Sequence, residues 1–243
     1  MRLLSFIALI LLLTPLSAQN SPEEERWRSL GNIYYKNKTE MSEPMPLASN
    51  PDLLRHFSSR DLQYSISFSS RKVDKDGRYR QIDFIEFDYT RDDQLIFFAR
   101  PTDSILTPSA DSKDEEYLSF LAGYQMGKLF PFTSWLSGDI GARAFGFYER
   151  NRILPHTSAT FLFSHREIGM GINLEVGLNI RIHRGINISY AFIPMAMRAF
   201  QEIDYLENPL LAEHQRRTGG FGFRTDFFES VFDARNVSLS YVF

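Results

Sequence analysis

The sequence contains no cysteine, and this absence excludes three kinds of chemistry at once. Disulfide bonds, thiolate metal sites and lipid attachment to an N-terminal cysteine all require that residue. Tryptophan is also scarce, with 2 residues, whereas phenylalanine and tyrosine number 22 and 11. Frequent phenylalanine and tyrosine are typical of β-rich chains. The histidines show no metal-ligand spacing, so we expect neither a metal nor another cofactor.

The chain also lacks a positive charge excess and, after its first twenty residues, any long apolar run. The net charge of −3 argues against nucleic acid as a partner. The longest weakly polar run, residues 190–200, is too short for a transmembrane helix and contains Pro194 and Arg198. Membrane crossing by helices is therefore not expected from this sequence.

The first residues have the organisation of a secretory signal peptide. Arg2 precedes an apolar run, and a small-residue site ends at Ala18. We therefore predict a signal peptide over residues 1–18. The next segment, 19–60, starts with Ser21 as a helix N-cap and Pro22 at the first helical position, which predicts a short helix over about 22–36. A proline-containing linker follows, and we expect 19–60 to lie in the periplasm.

From residue 61 the apolar period becomes two, which predicts β-strands. About eight strands are expected, with a count of ten as the alternative, and a slip of the pattern near Phe84–Ile85 predicts a β-bulge. The short sequences TRDDQ (90–94), PFTS (131–134) and HRG (183–185) are predicted turns. The predicted strands are 62–69, 80–89, 95–100, 117–130, 135–150, 160–182, 186–192 and 236–243. A short turn between strands four and five places Gln125 opposite Asp139 in the expected register.

The strand over 170–182 poses the question that decides the class of protein. One face is wholly apolar, and the other holds glycine, asparagine, Glu175 and Arg181. The apolar residues are Met170, Ile172, Leu174, Val176, Leu178, Ile180 and Ile182. A water-exposed face usually carries more charge, whereas small residues suit the inside of a narrow, closed sheet. We therefore expect the apolar face to point outward, and a soluble lipocalin-like carrier with the opposite orientation is the alternative.

The signal peptide, the alternating strands and the final aromatic strand together resemble the small Gram-negative outer-membrane β-barrel proteins. In that family, alternate apolar residues before a terminal phenylalanine are read by the barrel-assembly machinery. The matching residues here are Val237, Leu239, Tyr241 and Phe243. The resemblance implies an all-β, antiparallel up-and-down transmembrane barrel over 61–243, a monomer in the outer membrane in contact with its lipid. It also implies a structural or binding role through extracellular loops, expected around 72–78, 101–116, 151–158 and 201–235.

Two further expectations concern side chains. Asp139, Arg143, Glu175 and Arg181 should point into the barrel lumen, where we favour paired charges over an ion path. His156 and Ser158 resemble the His-x-Ser pair of lipid A deacylases, with Glu167 or Glu175 to orient the histidine, but Ala159 replaces the asparagine that follows in that pattern. A lipid-modifying enzyme and a narrow porin therefore remain alternatives to a structural or binding barrel.

Overall fold

The computed structural model describes residues 25–42, 45–47, 50–99, 112–155, 162–183, 185–208, 210–229 and 237–242. The predicted signal peptide, His156, Ser158 and Phe243 lie outside these residues. Within them the chain is almost entirely antiparallel β-structure. The strands are β1 (Glu25–Met41), β2 (Met45–Leu47), β3 (Asn50–Val73), β4 (Arg78–Ala99), β5 (Lys113–Pro131), β6 (Leu136–Pro155), β7 (Phe163–His183), β8 (Ile186–Leu206), β9 (Arg217–Glu229) and β10 (Val237–Val242). A four-residue helix, α1 (Glu213–Arg216), precedes β9.

Eight of these strands form a closed ring. Each strand from β3 to β8 pairs with the next, β10 pairs with β8, and β1 pairs with both β10 and β3. The two additional strands lie on this ring, because β2 pairs with β3 and β9 pairs with β8. The ring leaves its eight member strands with a hydrogen-bonded neighbour on each side, which satisfies most of their backbone groups within the sheet.

The predicted N-terminal helix is wrong. Residues 25–41 form strand β1, which hydrogen-bonds to β10 on one side and to β3 on the other. A helix of this length is marginal in water by itself, so two rows of sheet hydrogen bonds outweigh the capping signal at Ser21 and Pro22. The sheet thus includes residues that the sequence assigned to a separate N-terminal segment, 19–60.

Strand β4 corrects a second expectation. Residues 80–89 and 95–100 were expected as two strands separated by a turn at 90–94, but 78–99 form one continuous strand. Past its apolar stretch, β4 continues between β3 and β5, and this part of the strand tolerates the charged residues of the turn-like sequence 90–94. The expected bulge is confirmed: Ile85 pairs with Phe68 and Asp83 pairs with Ser69, which leaves Phe84 as the extra residue.

The two ends of the ring differ. The turns that follow β3, β5 and β7 lie at one end, together with the start of β1 and the end of β10. Strands β4, β6 and β8 end at the opposite end of the ring and are followed by longer connections, and β1 is joined to β3 there through β2. We call these the turn end and the loop end. The segment 72–78, expected among the long outward loops, is instead a short turn at the turn end.

The interior of the ring is narrow, and near the turn end it contains a cluster of apolar side chains. Trp27, Val73, Tyr79 and Val242 are buried together there, with Leu129 against them. Glycine makes room for the largest of these rings: a Cβ at Gly127 would lie 2.5 Å from the Tyr79 ring. Side chains fill the space that the sheet encloses, and glycines on the neighbouring strands prevent overlap.

Candidate functional site

The outside of the ring carries a band of exposed apolar side chains. On β7, Met170 is 71% exposed, Ile172 60% and Ile182 62%, whereas the intervening Asn173 and Asn179 are buried. The other exposed members include Ile82, Phe84, Phe120, Tyr124, Met126, Ile140, Leu174, Leu178, Ile180, Met197, Leu239 and Tyr241. The apolar face of 170–182 therefore points away from the interior, and the polar face points into it. A soluble protein has the reverse arrangement.

The inside of the ring carries a network of ion pairs and hydrogen bonds centred on Asp139. Arg71 Nη1 lies 3.1 Å from Asp139 Oδ2, and Asn179 Nδ2 donates a hydrogen bond of 2.6 Å to the same oxygen. Tyr79 Oη donates to Asp139 Oδ1 at 3.4 Å and accepts a hydrogen bond from Gln125 Nε2 at 3.0 Å. The Arg71 guanidinium also lies 4.2 Å from the centre of the Tyr79 ring. Five strands are thus joined through one buried carboxylate and its partners.

Arg143 holds the second half of the network. Its Nε lies 2.6 Å from Asp83 Oδ2 as an ion pair without straight hydrogen-bond geometry, and its Nη2 donates to Glu86 Oε2 at 3.1 Å. The two halves are connected through Gln81, which accepts a hydrogen bond of 2.7 Å from Arg71 Nε and donates one of 2.6 Å to Asp83. Buried charges persist when each has a partner, and here both arginines are paired with carboxylates.

Two cavities lie on either side of Trp27. The one beside the network measures ≈130 Å³ and is lined by serines and by Arg71, Asp139 and Arg143. The other, ≈300 Å³, opens at the turn end and is lined by Glu25, Arg181 and the turn residues 74–77 among others. The first has room for a few waters but is smaller than the 300–1,000 Å³ of typical ligand pockets. Trp27 lines both cavities, whereas Arg71 and Asp139 line only the smaller one.

The residues expected in the lumen lie in different places. Asp139 and Arg143 are buried, 3% and 7% exposed, in the network just described. Glu175 sits at a register irregularity of β7 and lines the ≈130 Å³ cavity with both arginines. Its expected role of orienting His156 stays a prediction, because His156 lies outside the described residues. Arg181 lies near the turn end, 37% exposed, and pairs with Glu25 at 2.7 Å. Gln125 was expected near Asp139, but the sequence did not indicate Arg71 or Tyr79, although their inward positions follow from strand alternation.

The residues expected as an assembly signal are on the outside of the terminal strand. Val237, Leu239 and Tyr241 are 44%, 51% and 55% exposed, while the intervening Ser240 is buried and its Oγ lies 2.7 Å from Ser29 Oγ of β1. Strand β10 therefore presents an apolar outer face, as β7 does, whereas its inner face carries Ser240 and, next to Trp27, the buried Val242.

A histidine cluster that the sequence did not reveal lies towards the loop end. His165 Nδ1 is 2.6 Å from Asp204 Oδ1, and His165 Nε2 is 3.1 Å from Glu167 Oε1. Partial burial lowers the pKa of His165, but the two carboxylates outweigh this and raise it above its ordinary value. The three residues are neighbours across β7 and β8. Because both ring nitrogens contact carboxylates, the arrangement favours the protonated imidazolium over the neutral imidazole.

Comparisons with known proteins add no assignment. Neither the scan against protein-family models nor the search of curated proteins returned a match to this chain. Among the described residues, no helix is long and apolar enough to cross a membrane. Within the same residues, no group of three or more histidine, aspartate or glutamate side chains is arranged to hold a metal ion.

Proposed function

We propose that this chain is an outer-membrane β-barrel protein with a closed lumen, which acts in a structural or binding role through its loop end. The observation that carries the proposal is the inverted polarity of the ring. Isoleucine, leucine and methionine of β7 are exposed while aspartate, arginine and asparagine are buried. Lipid solvates an apolar outside, and a closed sheet leaves few backbone groups unpaired in hydrocarbon.

The arrangement of the connections also supports this proposal. Barrels of the outer membrane have short periplasmic turns and longer extracellular loops. Here the turns after β3, β5 and β7 lie at one end with both termini of the ring, and the longer connections lie at the other. The turn end would then face the periplasm and the loop end the outside of the cell. The terminal strand β10, with its exposed Leu239 and Tyr241, would be the segment that the assembly machinery reads.

The interior favours a closed barrel over a narrow porin. Buried Arg71 and Arg143 are both engaged with carboxylates, and Trp27 lies across the space between the two cavities. An eight-stranded barrel is filled by its own side chains. The protein would therefore act by contacting partners through its loops and its outer surface. It would not conduct solutes through its interior.

The test is heat-modifiability after cell fractionation. The full chain is expressed in a Gram-negative host, outer membranes are isolated, and boiled and unboiled samples are compared by SDS gel electrophoresis. We expect the protein in the outer-membrane fraction, with a faster unboiled band from a closed, detergent-resistant sheet. A protein found in the soluble periplasmic fraction, with no shift on boiling, would overturn the proposal in favour of a soluble carrier.

A further inference from the structure

A row of charged side chains borders the apolar band on its loop-end side. On five neighbouring strands, β3 to β7, a charged outward residue follows an apolar outward residue in the direction of the loop end, and the outward positions beyond it include Leu54, Leu95 and Leu154. We call these five the charged row: Arg60, Arg91, Glu116, Arg150 and Arg166. They follow Leu62, Tyr89, Leu118, Tyr148 and Ile168 in that order. Four of the five are arginine, in a chain whose net charge is −3.

Two arginines of the row oppose each other directly. Arg150 of β6 and Arg166 of β7 are register partners, and both lie on the outer face. Like charges at directly opposite positions destabilise a strand pair. The ion pair of Arg150 with Glu116 accounts for one of them, but no ion pair within the described residues accounts for Arg166.

Within the described part of the chain, the guanidinium groups of these two arginines have fewer carboxylate partners than they could bind. Glu116 accepts a hydrogen bond of 3.0 Å from Arg150 Nη2 and one of 3.4 Å from Arg152 Nη1, so one carboxylate serves two guanidinium groups. The Nε of Arg150 is buried and has no hydrogen-bond partner among the described residues. Arg166 is exposed and forms no ion pair within the part of the chain that the structure describes.

We propose that Arg150 and Arg166 bind the phosphate group of a phosphorylated lipid in the leaflet at the loop end. The inference rests on the proposed membrane function, which it deepens by naming the class of lipid bound. Guanidinium groups present paired donors that match the oxygens of phosphate, and an anion between the two arginines turns their repulsion into attraction.

Position favours a lipid over a soluble anion. Ile168 precedes Arg166 on the outer face of β7 and Tyr148 precedes Arg150 on β6, so apolar surface and guanidinium groups are continuous. Ile168 is 55% exposed and Met170, the next outward residue, 71%. An acyl chain lying along these residues places its headgroup beside the two arginines, whereas a free anion gains nothing from the apolar band.

The experiment compares three probes on the folded, purified full chain in dodecyl maltoside micelles. They are bisphosphorylated lipid A, the same lipid A after enzymatic removal of its phosphates, and inorganic phosphate alone. Native mass spectrometry reports bound lipid, and tryptophan fluorescence reports the midpoint of thermal unfolding. We expect tight binding and a raised midpoint with the bisphosphorylated lipid, weaker binding with the phosphate-free lipid, and no raised midpoint with inorganic phosphate.

Two double variants locate the site. R150Q/R166Q should weaken binding of the bisphosphorylated lipid by at least about tenfold, at roughly 1 kcal/mol per arginine near an anionic headgroup. The control R78Q/R80Q removes two exposed arginines of β4 at the turn end and should bind within about twofold of the wild type. If the first double variant does not fold, R166Q alone carries the test, because Arg166 is exposed and its loss also relieves the repulsion with Arg150.

Three results would overturn the inference. Equal binding of phosphate-free and bisphosphorylated lipid would mean that the apolar band alone holds lipid, which leaves the membrane proposal intact. Equal weakening by the control would assign the effect to overall charge. A midpoint raised as much by inorganic phosphate would indicate a free-anion site. A chain that binds no lipid and shows no band shift on boiling would fail the proposed function itself, so the two failures are distinguishable.

Discussion

The loss of stability caused by arginine at two different depths on β7 distinguishes a membrane protein from a soluble one. Ile172 and Ile182 lie on the same face of the same strand and are almost equally exposed, 60% and 62%. They differ in position: Ile182 is next to the turn after β7, whereas Ile172 is within the strand. The same substitution, isoleucine to arginine, at both positions is therefore a matched pair.

The expected magnitudes follow from the geometry of the strand. A strand tilted by about 45° rises roughly 2.3 Å per residue along the membrane normal. We take an apolar band about 25 Å tall that starts at Ile168. Its midplane then lies about five residues along the strand, beside Ile172, and the band ends before Ile182. Arginine costs about 2–4 kcal/mol at the midplane and about 0–1 kcal/mol near an interface. We expect these losses of unfolding free energy for Ile172→Arg and Ile182→Arg respectively.

The assay is denaturant unfolding in phosphatidylcholine vesicles, followed by the fluorescence of the two tryptophans, Trp27 and Trp135. In a soluble protein both side chains would face water, and each substitution would change the unfolding free energy by no more than about 0.5 kcal/mol. Equal and small losses at the two positions would therefore refute the membrane assignment. A larger loss at Ile182 than at Ile172 would refute the placement of the band.

Three further predictions concern the interior and the loop end. Arg71→Met leaves its carboxylate partner buried and unpaired and should lower the unfolding free energy by about 3–5 kcal/mol, whereas Arg80→Met on the outer face should change it by less than about 0.5 kcal/mol; equal effects in urea titrations would contradict the network. Gly127→Ala places a methyl group against the Ile140 carbonyl oxygen and 2.5 Å from the Tyr79 ring and should cost about 1–3 kcal/mol. Gly146→Ala, whose nearest contact is 3.9 Å away, is expected to be close to neutral in the same titrations. The raised pKa of His165 means that the folded state binds this proton more tightly, so its stabilisation is complete below about pH 6.5 and is lost as pH rises through the folded-state pKa. His165→Gln should therefore destabilise the protein more at pH 5.5 than at pH 9, and a loss independent of pH would show that the histidine is not held as a cation.

The face of the sheet on which each side chain lies was predictable, because it depends only on whether its position along the strand is odd or even. Gln125 was expected opposite Asp139, but its partner is Arg143, four residues away. A shift by an even number keeps every side chain on its face, so the burial of Asp139 and the exposure of Ile140 follow despite the wrong register. The facing of residues 170–182 was predictable for the same reason. Exact partners were not, because turn length limits the register without fixing it.

Two elements could not be read from local sequence. A helix-like sequence precedes β1, and the extended form of β1 depends on β3 and on β10, whose residues are more than two hundred positions away. The residues of 90–94 have the composition of a turn, yet they continue β4 because β3 and β5 both extend beside them. The interior network has the same character: Arg71 and Asp139 belong to strands that are not sequence neighbours, and only the closed sheet brings them to 3.1 Å.

The pairing of β10 with β1 has a consequence for biogenesis. The six residues of β10 join β8 to β1, and the side-chain contact between Ser29 and Ser240 spans 211 positions of the chain. The sheet therefore stays open until β10 is added, and such non-local closure is slow and exposed to aggregation. Without β10, the backbone groups along two strand edges would stay unpaired. One edge is on β1 and the other is on the part of β8 near the turn end. Such edges pair readily with other chains, so the addition of β10 removes two sites of aggregation at once.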